Sequence, residues 1–154
     1  MTVTSVTTTS FIKQTVLFVR DKISAKVTDP ISSTRSGSEK FVMSEYPQLN
    51  VTYPIITVRK ENVVTSGRLG FSSELHLVSI PLEVRVWAKN VVQKDALTQE
   101  VINALRSTER DNDGSINGNL YSFEILSTVD VNEPAPSGIK STVISVNYDF
   151  VLGE

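Results

Sequence analysis

The run Leu75–Trp87 alternates apolar and polar residues at a period of two, which is the signature of an extended strand. Val78, Ile80, Leu82, Val84 and Val86 fall on one face, and Ser79, Pro81, Glu83, Arg85 and Trp87 on the other. A second run, Ile139–Leu152, alternates to its end through Ile144, Val146, Tyr148, Phe150 and Leu152. At about 3.3 Å per residue each spans roughly 40 Å if unbroken, well beyond a usual strand of about 5 to 6 residues. Strands of that length in a small domain protrude or bend, and the protruding length offers edges to a neighbouring subunit. Pro81 predicts a bulge or an edge at its position. Trp87 reads either as the cover of a second core or as an interface anchor.

Two segments carry the helical period instead. Ile12, Val16, Val19, Ile23 and Val27 recur at spacings of 4, 3, 4 and 4, with Phe11 and Phe18 widening the stripe. Ser10 is the expected N-cap, and Asp29-Pro30 ends the helix because the residue before proline is pushed out of helical space. A second helix is expected from an N-cap at Asp95, with Leu97, Val101, Ile102, Ala104 and Leu105 as its apolar residues, stopping near Arg106–Ser107. Phe41-Val42-Met43 reads as a short strand, Ile55–Lys60 as a strand opening after Pro54, and Asn119–Val131 as a strand through Tyr121, Phe123 and Ile125. Glu133–Gly138 is a turn, Ile31–Lys40 a flexible loop, and Glu61–Gly70 a connection with β structure near its ends. Met1–Thr9 is expected to be a flexible arm. The order α, β, β, α, β, β over residues 1–154 predicts one α+β domain, a mostly antiparallel sheet with two helices packed on one face.

The inventory of reactive side chains narrows the function. Zero cysteines exclude disulfides, thiolate metal sites and a cysteine nucleophile. One histidine, His76, excludes multi-histidine metal sites and leaves any Ser-His-Asp arrangement resting on a residue that reads as a surface or interface position of a strand. The seven glycines form no phosphate-cradling loop. Glu109-Arg110-Asp111-Asn112-Asp113-Gly114 approaches a calcium loop, but position 12 is Leu120 instead of a bidentate carboxylate, so it reads as a polar connection. No catalytic, cofactor or metal residue is assigned. With 15 basic against 17 acidic side chains the formal charge is −2, which offers no general electrostatic case for nucleic acid or an anionic membrane. No stretch approaches the roughly 18 apolar residues of a membrane helix, and Met1 leads into Thr and Val instead of a basic leader, so a soluble, unprocessed chain is expected.

These pieces, in this order, resemble the tail terminator or tail-completion proteins of long-tailed bacteriophages. The resemblance lies in the N-terminal amphipathic helix, the polar loop, Tyr53-Pro54-Ile55-Ile56-Thr57-Val58, the strand Leu77–Trp87, the helix Asp95–Leu105 that follows it, and the closing Thr142–Phe150 strand. It implies a non-enzymatic virion protein without cofactors. Such a protein forms a homo-oligomeric ring, usually a hexamer, on the last ring of the tail tube, stops tube growth and presents a surface to the head–tail connector. It implies assembly in the host cytoplasm and placement in the tail or neck, with no membrane partner, no sequence-specific nucleic acid, and genome DNA passing through the ring. Arg35, Lys40 and Arg68 are the cations expected to meet tube or connector, with Trp87 as a further partner-binding residue. The rival readings are another connector or tube component, a monomeric module taking a peptide or glycan on the Trp87 face, and an enzyme whose activity either depends on His76 or survives its replacement by alanine.

Overall fold

The computed structural model describes residues 11–35, 39–44, 51–61, 64–68, 76–111, 120–132 and 138–152. The expected arm Met1–Thr9, the N-cap Ser10 and most of the Glu133–Gly138 turn lie outside them. Along the chain run helix α1 (Phe11–Lys26), strands β1 (Val42–Met43), β2 (Ile55–Lys60), β3 (Val64–Arg68) and β4 (His76–Ala88), helix α2 (Val91–Asp111), and strands β5 (Leu120–Asn132) and β6 (Lys140–Leu152). The protein is an α+β domain as the sequence predicts, with the short strand at Val42–Met43 and β structure inside the Glu61–Gly70 connection.

The six strands form one sheet in the order β1-β2-β4-β6-β5, with β3 also on β4, and every pairing is antiparallel except β1 on β2. β4 and β6 pair without a slip from His76↔Leu152 to Ala88↔Lys140, thirteen residues on each strand. Because opposite residues of a ladder share a face, this register puts Val78, Ile80, Leu82, Val84 and Val86 beside Phe150, Tyr148, Val146, Ile144 and Thr142. That face is covered by both helices. Phe18, Val19 and Ile23 of α1, and Leu97, Val101 and Leu105 of α2, close over it into a single core. Phe18 meets Tyr148 edge-on at 6.1 Å between ring centres, and Phe11 stacks on Phe150 at 4.6 Å.

Two boundaries, both of α2, differ from the sequence reading. α2 begins at Val91, because Asn90 caps it: the Asn90 side chain accepts the Gln93 amide at 2.8 Å and its carbonyl accepts the Lys94 amide at 3.1 Å. Asp95 therefore lies in the first turns of the helix and is not its cap. The helix also continues past Ser107 to Asp111, so the first residues of the calcium-like motif are its last turn. Of the bulge or edge expected at Pro81, there is no bulge, since its ladder with Asn147 is unbroken, but on its other side β4 is locally an edge. The Pro81 carbonyl accepts the Glu61 amide at 2.8 Å, so the side of Pro81 that lacks a donor faces the place where β2 ends opposite Leu82 and β3 begins opposite Ser79.

Phe18 touches both helix and sheet layers and is 1% exposed. Phe18→Ala is expected to cost about 3–5 kcal/mol in urea-denaturation midpoints at unchanged slope. Val92→Ser, at a side chain 80% exposed, is expected to stay within about 0.5 kcal/mol.

Candidate functional site

The residues with partner-binding expectations separate into two groups. Arg35, Lys40 and Trp87 lie at the end of the sheet where β2 starts, and Arg68 pairs with His76 at the far end of β4. The eleven residue steps from His76 to Trp87 put about 36 Å between these ends at about 3.3 Å per residue. No single patch joins all four.

Arg35 is turned inward. Its guanidinium, 5% exposed, meets Asp29 at 2.6 Å, donates to the Thr52 carbonyl at 2.7 Å and the Pro54 carbonyl at 2.6 Å, and lies over the Phe41 ring. The planar fork ties the turn after α1 to the segment that opens β2, so the Ile31–Arg35 part of the expected flexible loop is a hydrogen-bonded turn anchored on Asp29. Arg35 and the Ile31 backbone amide both bond the Asp29 carboxyl and, against its partial burial, hold it below its ordinary value of 3.8. Lys40 is exposed beside this staple, while the Arg68 side chain is outside the described set.

Trp87 is 9% exposed, and its Nε1–H donates to Thr57 Oγ1 at 3.0 Å. The Arg85 guanidinium lies 4.1 Å from the ring centre, and the cross-strand neighbour is the buried Ile55. The indole thus covers a small second cluster on the face without helices. The same face carries Arg59 on Glu83 at 3.2 Å, Arg85 on Ser141, and Ser79 donating to Asp149 at 2.9 Å. His76 has the parity of the helix-covered face, so it is on the opposite side of the sheet from the Ser79–Asp149 pair, and the three do not form a nucleophile, base and carboxylate. Among the described residues no three His, Asp or Glu side chains converge as a metal site. An open hollow of about 420 Å³ is lined by Lys26, Thr28, Glu100, Asn103, Ala104 and Ser107, and in it the Lys26 ammonium donates to the Ser107 hydroxyl.

Two features escape a reading by pattern. Lys94 is buried on α2, 6% exposed at its side chain, where its ammonium meets Asp130 of β5 at 3.1 Å and Asp95 at 3.4 Å. Burial opposes its charge, yet the bonds to Asp130 and Asp95 outweigh that and hold the ammonium above its ordinary value. Thr142, donating at 2.8 Å, and then Lys94 hold the Asp130 carboxyl below its own. The other feature is β5 itself, the outer strand of the sheet, exposed from Leu126 to Asp130. Its sequence signal is compositional: Leu120–Asn132 contains no Lys, Arg or Pro, the residues that usually blunt an edge.

No protein-family profile matches the sequence, and no curated protein matches it. Among solved structures, the fold is shared with a chain described as "Virion of native gene transfer agent (GTA) particle". The two are 10% identical, superpose with a TM-score of 0.56, and the match covers 84% of this chain and 91% of that chain.

Asp29 titrates below its unfolded value, so its contribution to stability is complete above about pH 4 and is lost as pH falls through the folded-state value. Asp29→Asn is expected to cost about 1–3 kcal/mol at pH 7 by leaving Arg35 without its anion. The gap from the parent chain should close below about pH 4 in chemical-denaturation series at stepped pH.

Proposed function

We propose that this chain is a structural subunit of a phage-like virion, and within it the tail terminator: a ring, hexameric in the usual form, that seats on the last ring of the tail tube, ends its polymerisation and offers its other surface to the head–tail connector. The observation that carries the reading is the fold shared with a gene transfer agent virion chain over 91% of that chain's length. Two features of this chain support it. The reactive side chains are dispersed over both faces of the sheet and both ends of β4, which suits a protein that works by assembly. The two ends of β4 lie about 36 Å apart, so Lys40 at one and Arg68 at the other can serve two different partners. Arg35 acts in this reading through the turn it holds, and Trp87 by stiffening the sheet end beside it.

The DNA passing through such a ring needs no base readout, in keeping with the −2 balance. The binding-module alternative loses its main support, because the Trp87 ring is taken up by Thr57, Arg85 and its own strand neighbours. A connector or tube component remains the second reading, since the neighbour's description is of the whole virion.

Absolute mass across a concentration series, with negative-stain imaging, is expected to show a closed ring of about six copies, formed in free solution or on tube ends. Added to polymerising tail-tube protein, the chain is expected to shorten tubes and decorate one end. Open-ended co-polymerisation would identify a tube subunit instead, and a monomer that leaves tubes untouched would overturn both readings.

A further inference from the structure

β5 is the outer strand of the sheet and, among the described residues, pairs on one side alone, with β6. Of the four exposed large apolar side chains in the described residues, Leu126 and Val129, 58% and 54% exposed, belong to this strand. Ser127–Asn132 keep one register with β6, so the far side of this stretch presents a regular row of amides and carbonyls. None of the lysines or prolines that usually blunt such an edge occurs in Leu120–Asn132. The start of α1 lies close by. Phe11 stacks on Phe150 with ring centres 4.6 Å apart, and Phe150 is the ladder partner of Leu120, the first residue of β5. The ten residues before Phe11 are thus joined to the fold on the helix side of the sheet, one strand in from its β5 edge.

We propose that residues 2–8 add to this edge as a further strand, antiparallel to β5 of the same chain. Composition, reach and direction converge on it. Thr2, Val3, Thr4, Val6, Thr7 and Thr8 make six of these seven residues β-branched, with no proline or glycine among them. The segment carries no charged side chain, so it meets the exposed Glu124 and Asp130 without repulsion. A strand outside β5 lies two strand spacings from β6, about 10 Å, and the three steps from Phe11 back to Thr8 span about 10 Å when extended. Thr8 then comes level with Leu120. The two irregularities of β5 shorten its path, so that Leu120 to Thr128 spans only the six steps of β6 from Phe150 to Ile144. Thr8 to Thr2 is also six steps, about 20 Å, which brings Thr2 level with Thr128 and Val3 level with Ser127, next to the exposed Leu126. A chain that runs from the Thr128 level to the Leu120 level is opposite in direction to β5, in the pairing that dominates the sheet. The added strand takes up the outward hydrogen-bonding row of β5 inside the subunit and closes it to a second copy. This inference does not rest on the ring reading, and in a ring it leaves the contact between subunits to other surfaces.

The chain has no cysteine, so two introduced thiols report on each other alone. In the full-length chain Thr4→Cys is combined with Thr128→Cys on β5, or with Lys60→Cys on β2 as the control. Thr128 and Lys60 are both exposed and both on the helix side of the sheet. From Phe150, Lys60 lies two strands across and four steps along, about 10 Å by 13 Å, and Thr128 one strand across and six steps along, about 5 Å by 20 Å. A segment without a fixed seat reaches either. Treated with a short bis-maleimide at a dilution where the chain is monomeric, the Thr128→Cys pair is expected to link within one chain, at about ten times the yield of the control or more. In a cysteine-free chain, Val3→Pro/Thr4→Pro removes a donor aimed at β5 whichever way the strand faces. It is expected to speed amide exchange within Ser127–Asp130 by about tenfold or more while α1 and β4 exchange as in the parent. Equal yields from the two pairs would mean that the segment does not settle on β5, and links between chains would mean that it crosses to another copy; either overturns the proposal. Exchange at Ser127–Asp130 unmoved by the two prolines overturns it as well. Both measurements are made on the monomer, so a failure of ring formation or tube capping does not affect them.

Discussion

The β4–β6 ladder is the constraint on which everything else in this molecule rests. Thirteen residues of each strand pair in one register, and a slip of one residue would turn Val78, Ile80, Leu82, Val84 and Val86 out of the core together with Ile144, Val146, Tyr148 and Phe150. At roughly 1.5–3 kcal/mol for each fully buried aliphatic or aromatic side chain, no alternative register competes with the native one. With the ladder in place, one face of the sheet is uniformly apolar, and both helices must cover that face.

The elements outside this pair are attached by charge as well as by packing. Lys94 binds the start of α2 to the outermost strand through Asp130, and Arg35 binds the turn after α1 to the opening of β2 through Asp29 and two carbonyls. Each places a cation in a site nearly closed to water, where removing one partner leaves an uncompensated charge. These two clasps position the sheet's opposite sides: one holds β5, the other orders the segment leading into β2.

The two faces of the sheet differ in chemistry: one is the apolar core under the helices, the other is polar. A face of serines, threonines, ion pairs and one covered tryptophan is well satisfied as it stands. β5 is the outer strand of the described sheet, and it is exposed from Leu126 to Asp130.

What was legible in the sequence was what is local. The pleat of a strand and the pitch of a helix are properties of the backbone, so alternation along Leu75–Trp87 and the stripe from Val16 to Val27 determined which residues face the core, and with that the α+β class. Pattern failed where a distant partner decides the outcome. No pattern marks Lys94, which is buried because Asp130, thirty-six positions later, accepts it in the folded chain. Arg35 reads as a free loop cation until Asp29 and the Thr52 and Pro54 carbonyls surround it. Pro81 signals a break, yet sits in the middle of the longest ladder because β2 ends and β3 begins on its donor-less side. Strand order, too, was settled in three dimensions: hydrophobic periodicity tells which face of β5 is inside, but whether its other edge meets a strand or open space depends on where the whole sheet stops.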